Sequence, residues 1–384
     1  MSAGEFVAAE LGQYLDSVRL IDHHVHGAFR SEVDRPEFEV FLNEGSPDLV
    51  PGWMTQFDSQ VGFAIRRWCS PVLGLARHCP ADQYWARRCA LGVDEVTSRF
   101  LRAAGVSDWL IDTGLGADTL LDPAGMASFS GARVHQIVRL ESLAEVLASE
   151  KVTGGRYPDL FRSRLATLAQ DAVGVKTILA YRSGFDIDWT RPPDSEVCRA
   201  ATRWIDSIGS ARPRVTDPVL LRFGVHAAVD LGLPIQIHTG FGDRDLKLDK
   251  ANPILITEFL RLPEVSRIPV LLLHSYPYHR EAGYLAQAFG NVYFDVGLAL
   301  NHVGVRSVEI AAESFEVAPF AKQLYSSDAC GPPELHYLGA VLWRQALKTI
   351  IGRWVDDGDW SPADAIRVIE MVGRRNAERV YALG

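Results

Sequence analysis

Short apolar segments that end in polar residues recur eight times along the chain, and this recurrence constrains the fold more than any other feature. They occupy residues 18–26, 108–115, 133–141, 173–181, 233–240, 268–276, 291–299 and 323–329. Stretches of helix length with apolar residues three to four positions apart lie between most of them, which predicts parallel βαβ units. Eight such units predict an α/β fold, a (β/α)8 TIM barrel that forms a single domain over residues 1–384. No GxGxxG motif follows the first segment, which disfavours a Rossmann fold.

One connection is much longer than a βα loop requires. About eighty residues, 27–107, separate the first two predicted strands, and a structureless loop of that length is rare in a compact domain. Residues 63–68, 82–91 and 93–104 instead have helical apolar spacing. We therefore predict a helical insertion after the first strand. We expect it over the catalytic face, because βα loops emerge at the carboxyl ends of barrel strands.

The first predicted strand closes on Asp22, His23, His24, Val25 and His26. Strand side chains alternate between two faces, so Asp22, His24 and His26 share one face. Two imidazoles two residues apart can bind one metal from the barrel interior, and Asp22 is placed to support them from behind. In isolation this spacing is a weak motif, since ordinary polar residues at a strand end explain it equally well.

Three further predicted strands carry a histidine or an aspartate near their carboxyl ends. His238 lies two residues before the end of the fifth strand, His274 two before the end of the sixth and Asp328 one before the end of the eighth, each after an apolar run. Active sites of barrels lie at the carboxyl ends of the strands, so we expect these side chains beside His24 and His26. Imidazoles with one carboxylate and no thiolate suit Zn²⁺, and also Mn²⁺ or Fe²⁺. The convergence of five such residues predicts a metal centre.

Three charged residues are candidates for binding a substrate. Lys176 shares a face of the fourth predicted strand with Arg182, which lies nearer the rim and could bind a carboxylate in bidentate fashion. A carboxylated Lys176 that bridges two metals is an alternative, but the lysine lies well before the predicted turn at Ser183 and Gly184, which favours a single metal. Glu141 ends the third predicted strand and could bind a substrate amine. Structural roles stay open for all three: a buried pair for the lysine, a surface ion pair for the arginine and a helix cap for the glutamate.

Longer motifs carry a resemblance to a known family. They are IDHHVH at 21–26, LIDTGL at 110–115, VGVKTILAYRSG at 173–184, LPIQIHTGFGD at 233–243, LLLHSYP at 271–277, VYFDVGLA at 292–299 and SSDACGPPELHYLGA at 326–340. Over most of its length the chain resembles the amidohydrolase-related (amidohydrolase 2) group of the amidohydrolase superfamily. Within that group it is most similar to the FluG/nodulin-type amidohydrolase domain, which is associated with glutamine-synthetase-I-like proteins.

The resemblance implies a role for each residue of the predicted centre. One divalent metal, Zn²⁺ in preference to Mn²⁺, would be bound by His24, His26, His238 and Asp328. Asp328 would also act as the base, and His274 would be a catalytic residue that polarises or orients the substrate or water. A second metal on a carboxylated lysine is the less favoured arrangement.

We expect the chain to be an enzyme, a metal-dependent hydrolase of a small molecule. The leading hypothesis is cleavage of an amide-type C–N bond, in a γ-glutamyl amide or a similar amino-acid-like compound, because the similar domains are associated with glutamine synthetases. Glu141, Lys176 and Arg182 would bind the charged groups of that substrate. A metal-dependent nonoxidative decarboxylase on the same barrel is the alternative. A non-catalytic regulatory barrel is a third hypothesis, which the complete ligand set disfavours.

Composition limits the partners and the compartment. With 39 basic and 48 acidic residues, the net charge of −9 argues against nucleic acid or an anionic membrane as the main partner. The five cysteines lack CxxC spacing, so they predict neither a disulfide framework nor a thiolate zinc site, and they fit a reducing compartment. The first eighteen residues predict an amphipathic helix without the basic segment of a signal peptide. We therefore expect a cytoplasmic protein that can form a homo-oligomer.

Overall fold

The computed structural model describes residues 11–116 and 118–384, so the start of the predicted N-terminal helix lies outside the described residues. Within them, seven β-strands follow one another in chain order in one sheet, and neighbouring strands pair in parallel. The strands are β1 (Leu20–Val25), β2 (Val106–Asp112), β3 (Arg133–Arg139), β4 (Ala172–Thr177), β5 (Ile235–Thr239), β6 (Val270–His274) and β7 (Val292–Phe294). Helices separate successive strands, so the predicted α/β class of TIM-barrel proteins is confirmed.

The helices vary in length from single turns to a long helix of 24 residues near the end of the chain. In chain order they are α1 (Arg35–Val40), α2 (Gln60–Ala64), α3 (Ser70–Val72), α4 (Ala81–Leu91), α5 (Val93–Ala103), α6 (Pro123–Ser130), α7 (Leu140–Ser149), α8 (Tyr157–Leu168), α9 (Leu179–Arg182), α10 (Asp194–Ile208), α11 (Pro218–Leu231), α12 (Thr257–Leu260), α13 (His279–Ala288), α14 (Gly297–Val303), α15 (Ser307–Ser314), α16 (Pro333–Asp356), α17 (Pro362–Glu370) and α18 (Asn376–Val380). Two π-helical turns, Ile65–Cys69 and Met371–Arg375, continue α2 and α17. Among the described helices, none has both the length and the apolar character that crossing a bilayer requires.

The chain divides into two compact units. Unit 1 comprises the described part of Met1–His135 together with Asp295–Gly384, and unit 2 is Gln136–Phe294. In unit 1, β1 pairs with β2 from Leu20 opposite Val106 to Val25 opposite Ile111, and all four side chains are buried. In unit 2, every strand contributes at least one fully buried apolar side chain to the core. They are Ile137, Val175, Ile237, Leu272 and Phe294.

Helix α11 in unit 2 shows how local sequence sets the element boundaries. The Asp217 side chain accepts a hydrogen bond from the backbone of Val219, and Pro218 occupies the first helical position, where its missing N–H has no intrahelical partner to lose. The helix ends at Gly232, whose φ of 73° is the left-handed conformation that glycine adopts at helix ends. Leu220 and Phe223 of this helix are buried, and the Phe223 ring packs against the rings of Tyr157 and Phe161 on α8.

The predicted seventh and fourth strands extend too far. β7 ends at Phe294, because the Asp295 carboxylate accepts a hydrogen bond from the backbone N–H of Gly297 and α14 begins there. β4 ends at Thr177 and the chain turns into α9, so residues 179–181 are helical. The side chains that follow Phe294 and Thr177 therefore do not alternate between two faces as they would in a strand.

The predicted eighth strand, residues 323–329, is not a regular strand. This segment runs beside β1 within unit 1, with hydrogen bonds from His23 N to Tyr325 O (3.2 Å), from Asp328 N to His24 O (3.1 Å) and from His26 N to Ala329 O (2.9 Å). Regular strand geometry is lost because Asp328 has a φ of 48°, far from the extended region. The prediction of a regular strand here is wrong. The segment nevertheless lies beside β1, where the eighth strand of a barrel would lie.

Residues 27–107 are largely helical, and α1 to α5 lie within them. One buried ion pair fixes this region to α16: Nε of Arg88 on α4 donates to Oε1 of Glu334 at 2.8 Å, and the Tyr84 hydroxyl donates to the same oxygen at 3.1 Å. The guanidinium also lies over the rings of Phe38 and Trp85, at 5.0 and 5.4 Å from their centroids. That this region covers the catalytic face, and that the chain forms one domain, stay predictions.

Replacing Glu334 with glutamine should strand the Arg88 charge in a buried position. The side chains of the pair are 1% and 0% exposed, so we expect E334Q to lower the free energy of unfolding by about 3 kcal/mol, measured by urea denaturation. The matched control is E95Q, since Glu95 pairs with Arg99 on the exposed side of α5 and should contribute less than about 0.5 kcal/mol. Similar small losses in both variants would contradict a stabilising role for the buried pair.

Acid should destabilise the protein partly through His226, a buried histidine of α11. Burial lowers the pKa of this imidazole, whose Nε2 lies 2.9 Å from the carbonyl oxygen of Trp189. The unfolded chain takes up the proton near the ordinary pKa of about 6.5, whereas the folded protein resists it, so the free energy of unfolding falls as the pH drops below that value. Glutamine can donate to the same carbonyl but does not titrate. We expect H226Q to lose less stability than the native protein between about pH 7 and about pH 5 in urea titrations, and an unchanged loss would refute this.

Candidate active site

Two histidines at the carboxyl end of β1 lie against one carboxylate of unit 1. Nε2 of His24 is 3.0 Å from Oδ1 of Asp328, and Nε2 of His26 is 3.6 Å from the same oxygen. The two imidazole rings are 5.3 Å apart and nearly perpendicular, and both histidines are buried. Two imidazole nitrogens and a carboxylate oxygen that converge in buried surroundings form a donor set suited to Zn²⁺ and related divalent metals. The structure thus brings these three side chains together, and their role as metal ligands stays a prediction.

The end of β2 contributes a residue that the sequence reasoning missed. The backbone carbonyl of Asp112 lies 3.0 Å from Nδ1 of His26, so it accepts that N–H and leaves Nε2 as the nitrogen that faces Asp328. A carboxylate oxygen of Asp112 also lies within 4.8 Å of ligand nitrogens of His24 and His26. A signal for Asp112 is present in the sequence, since this polar residue follows an apolar run as His238 and Asp328 do.

Asp22 does not support the two histidines in the way the alternation of side chains suggested. Its carboxyl group accepts hydrogen bonds from the backbone N–H and the hydroxyl of Ser327, at 3.0 and 2.5 Å. It also hydrogen-bonds to the backbone of His24. Burial raises the pKa of Asp22 to about 8, against the opposing effect of these hydrogen bonds. Its support for the centre therefore acts through the backbone of β1 and through the residue before Asp328.

In unit 2, His238 at the end of β5 is surrounded by aromatic rings and a glycine loop. The ring of Tyr181 lies 4.4 Å from the imidazole, and the ring of His274 lies 4.8 Å away. The loop after β5 returns over this side chain at Gly242, where a Cβ atom would stand 2.0 Å from the Tyr181 hydroxyl and 3.1 Å from Nε2 of His238. The glycine is therefore required for the close approach of the loop to His238, which gives the HTGFGD sequence a physical reason.

His274 reaches His238 because of its unusual backbone. In the register of β5 and β6, His274 pairs with Thr239 while His238 pairs with Leu273, so strand alternation alone would place the two histidines on opposite faces. His274 has a φ of 68° and Ser275 a φ of 59°, both left-handed values that disfavour residues other than glycine. This backbone redirects the side chain. Such strained residues cluster at functional sites, and Asp328 in unit 1 has the same property.

Glu141 lies in α7 and not at the end of a strand, which corrects its predicted position. Its Oε1 accepts hydrogen bonds from the Thr177 hydroxyl at 2.6 Å and from the backbone N–H of Ile178 at 3.1 Å. It is buried, and burial raises its pKa. The carboxyl group thus hydrogen-bonds to the last residue of β4 and to the backbone that follows it, and it does not cap its own helix.

Lys176 and Arg182 do not share a strand face as predicted. Lys176 is buried and is the second-last residue of β4, paired in register with Gln236. It therefore lies near the strand end, and its predicted position well before that end is wrong. Arg182 belongs to α9, and its Nη2 donates to Glu145 at 3.0 Å. Burial lowers the pKa of this guanidinium. The ion pair that the sequence leaves open as the structural role of Arg182 is thus present, and it is largely buried and not at the surface.

Two further histidines belong to this region of unit 1. Nε2 of His336 on α16 lies 2.9 Å from the carbonyl oxygen of His26, and burial lowers the pKa of His336 to about 4. This neutral imidazole therefore donates to the backbone at the end of β1. Burial also lowers the pKa of His302 on α14 to about 4, while the nearby charge of Asp328 opposes the shift. Neither residue has a sequence signal beyond its type.

Comparison with known proteins places the chain among related sequences and folds. The family model described as Amidohydrolase matches residues 127–383. Protein fluG of Emericella nidulans is 33% identical over 286 residues, which are 66% of this chain and 33% of that protein, so the chain spans about a third of its length. The structure named "putative metal-dependent hydrolase" from Lactobacillus casei has a TM-score of 0.85 at 27% identity and covers 97% of both chains. A uronate isomerase from Bacillus halodurans has a TM-score of 0.64 at 15% identity, with coverage of 100% of this chain and 98% of that one, which is a likeness of fold alone.

The close approach at Gly242 predicts a steric effect of one added methyl group. In G242A the new Cβ would meet the Tyr181 hydroxyl, so we expect the free energy of unfolding to fall by about 1–3 kcal/mol in urea denaturation. Gly155 is the matched control in the same unit, since a Cβ there meets nothing within 4 Å, and G155A should change stability by less than about 0.5 kcal/mol. A G242A protein as stable as G155A would show that the loop does not press on the tyrosine.

Proposed function

Because this chain belongs to the amidohydrolase family, we propose that it is a metal-dependent hydrolase that cleaves an amide-type C–N bond in a small molecule. The observation that carries the proposal is the cluster at the end of β1, where Nε2 of His24 and Nε2 of His26 lie 3.0 and 3.6 Å from one oxygen of Asp328. Two imidazole nitrogens and one carboxylate oxygen are ligands that suit a divalent metal such as Zn²⁺.

The centre would hold one divalent metal, Zn²⁺ in preference to Mn²⁺, on His24, His26, His238 and Asp328. His238 supports this assignment because it is buried at the carboxyl end of a parallel strand, as His24 is, and barrel active sites form at that end of the strands. A bound metal of this type would polarise a carbonyl group and lower the pKa of a water molecule to about 7.

Asp328 and His274 would move the proton and stabilise the developing charge. The Asp328 side chain is 10% exposed, so its carboxylate can accept the proton of an attacking water and pass it to the leaving amine. His274 would donate a hydrogen bond to the carbonyl oxygen as negative charge develops there, an interaction that typically contributes about 3–4 kcal/mol. Its strained backbone holds the ring in place before the substrate arrives.

The substrate would be amino-acid-like, with a γ-glutamyl amide as the first candidate. Arg182 has two buried guanidinium nitrogens, and Glu141 one carboxyl oxygen, without a hydrogen-bond partner in the described part of the chain. Together with buried Lys176, they offer groups for the carboxylate and the ammonium of such a compound. The association of similar domains with glutamine synthetases supports the γ-glutamyl class.

Replacing the proposed base should separate metal binding from turnover. Asparagine retains one ligand oxygen but cannot accept a proton, so we expect D328N to keep part of its bound metal and to lose at least about 100-fold in kcat. Metal content is measured by mass spectrometry and amine release by a continuous assay. The control is D364N, since Asp364 lies on the exposed side of α17 and should not affect either quantity. Full activity in D328N would refute the role of this carboxylate.

The reaction class is tested by one screen of the metal-replete protein. The panel contains γ-glutamyl amides, other N-acyl amines and aromatic carboxylic acids, and both amine and CO₂ are measured. Amine without CO₂ is the expected result. Release of CO₂ alone would contradict the hydrolase and favour the decarboxylase that the sequence left as the alternative.

A further inference from the structure

Two adjacent serines, Ser326 and Ser327, directly precede Asp328 and are buried in unit 1. We call them the serine pair. Ser327 donates twice to Asp22 of β1: its backbone N–H lies 3.0 Å from Oδ1 and its hydroxyl 2.5 Å from Oδ2. The same hydroxyl accepts the backbone N–H of Ala329 at 3.2 Å. One side chain therefore bonds to β1 and to the residue after Asp328.

The other member of the serine pair is held by a separate buried carboxylate. The hydroxyl of Ser326 donates to Oδ1 of Asp295 at 2.8 Å, and the backbone N–H of Gly297 donates to the same oxygen at 2.8 Å. The second oxygen of Asp295 lies 3.0 Å from Nε2 of His23. Burial alone would raise the pKa of this carboxyl group, but its partners, His23 first, hold the value below its usual range. A charged carboxylate thus anchors Ser326.

Two glycines bring helices directly against the serine pair. A Cβ atom at Gly339 of α16 would stand 2.6 Å from Cβ of Ser327, and one at Gly297 would stand 2.1 Å from Oγ of Ser326. The amide of Asn301 donates to the backbone oxygen of Ser327 at 3.3 Å. The serines therefore have no room to shift toward these helices.

The residue after the serine pair carries the unusual backbone of the site. Asp328 has a φ of 48°, a value that costs free energy for a residue other than glycine and persists only where the surroundings fix it. Its N–H donates to the carbonyl oxygen of His24 at 3.1 Å. Asp22, which holds Ser327, also hydrogen-bonds to the backbone of His24. The histidine and the aspartate of the centre are thus tied to the same short piece of β1.

We propose that Ser327, bonded to Asp22 and packed against Gly339, is a positioning residue that sets the Asp328 carboxylate against His24 and His26. This rests on the proposed metal centre, since it assigns how one of its ligands is oriented. Residues that orient a ligand in this way typically change metal affinity by about 10–100-fold when they are removed.

Two variants test the role of Ser327 by independent means. S327A removes the hydroxyl that Asp22 and Ala329 share, whereas G339A keeps every hydrogen-bonding group and pushes on Ser327. The matched controls are S314A, a buried serine of α15 whose hydroxyl donates within its own helix, and G352A, which lies on α16 where a Cβ meets nothing within 4 Å.

The measurement is Co²⁺ binding by the full chain, as the Kd from competition with a chelator and as the visible spectrum at saturation. We expect S327A and G339A to bind Co²⁺ about 10–100-fold more weakly than the native chain and to shift its ligand-field bands, with both controls unchanged. A purely structural role would lower the unfolding temperature but leave the spectrum of the folded, saturated protein as it is. If S327A does not fold, G339A decides the question, because it removes no bonding group.

The variant D328A separates the two proposals. If D328A weakens Co²⁺ binding while S327A and G339A match the native Kd and spectrum, the positioning role is overturned and the metal centre stands. If the native chain binds no Co²⁺, or D328A binds it as tightly as the native chain, the metal centre fails and the role of Ser327 fails with it.

Discussion

The contact between the Asp328 carboxylate and the imidazoles of His24 and His26 is the interaction on which this part of the molecule depends. A carboxylate this close to the interior is unfavourable unless partners compensate for its lost hydration. Nε2 of His24 and Nε2 of His26 lie 3.0 and 3.6 Å from its Oδ1, so a divalent cation bound by these three atoms would supply that compensation, and the backbone turns into the left-handed region at Asp328. We interpret three sets of contacts as those that hold this backbone in place. They are the Asp22–Ser327 hydrogen bonds, the His23–Asp295–Ser326 hydrogen bonds and the tight packing at Gly339.

Much of this could be predicted from the sequence, because the relevant patterns are local. Apolar runs that alternate with helical spacing specify the parallel strands, and the alternation of strand side chains places His24 and His26 on one face. The association of strand ends with active sites then leads to His238 and Asp328. These steps need only the periods of regular structure and the general properties of barrels.

Other features could not be predicted, because they depend on departures from regular structure. Residues 323–329 lose strand geometry at one positive φ, and His274 reaches His238 only through another. The sequence places Lys176 and Arg182 on one face of a long fourth strand, but β4 ends at Thr177 and the turn into α9 separates them. The apolar run before Asp112 marks this residue as a candidate, but the contact of its backbone carbonyl with His26 depends on the fold and not on the residue type.

Membership of the amidohydrolase family accounts for both the fold and a centre that could bind a divalent metal. The reaction and its substrate belong to the proposed function. The proposed centre depends on His24 and His26 binding a metal. The most direct test is the metal content of the purified chain by mass spectrometry, compared with a variant in which both histidines are replaced by alanine. We expect close to one divalent ion per native chain and almost none in the variant. No bound metal in the native chain, or an unchanged content in the variant, would contradict it.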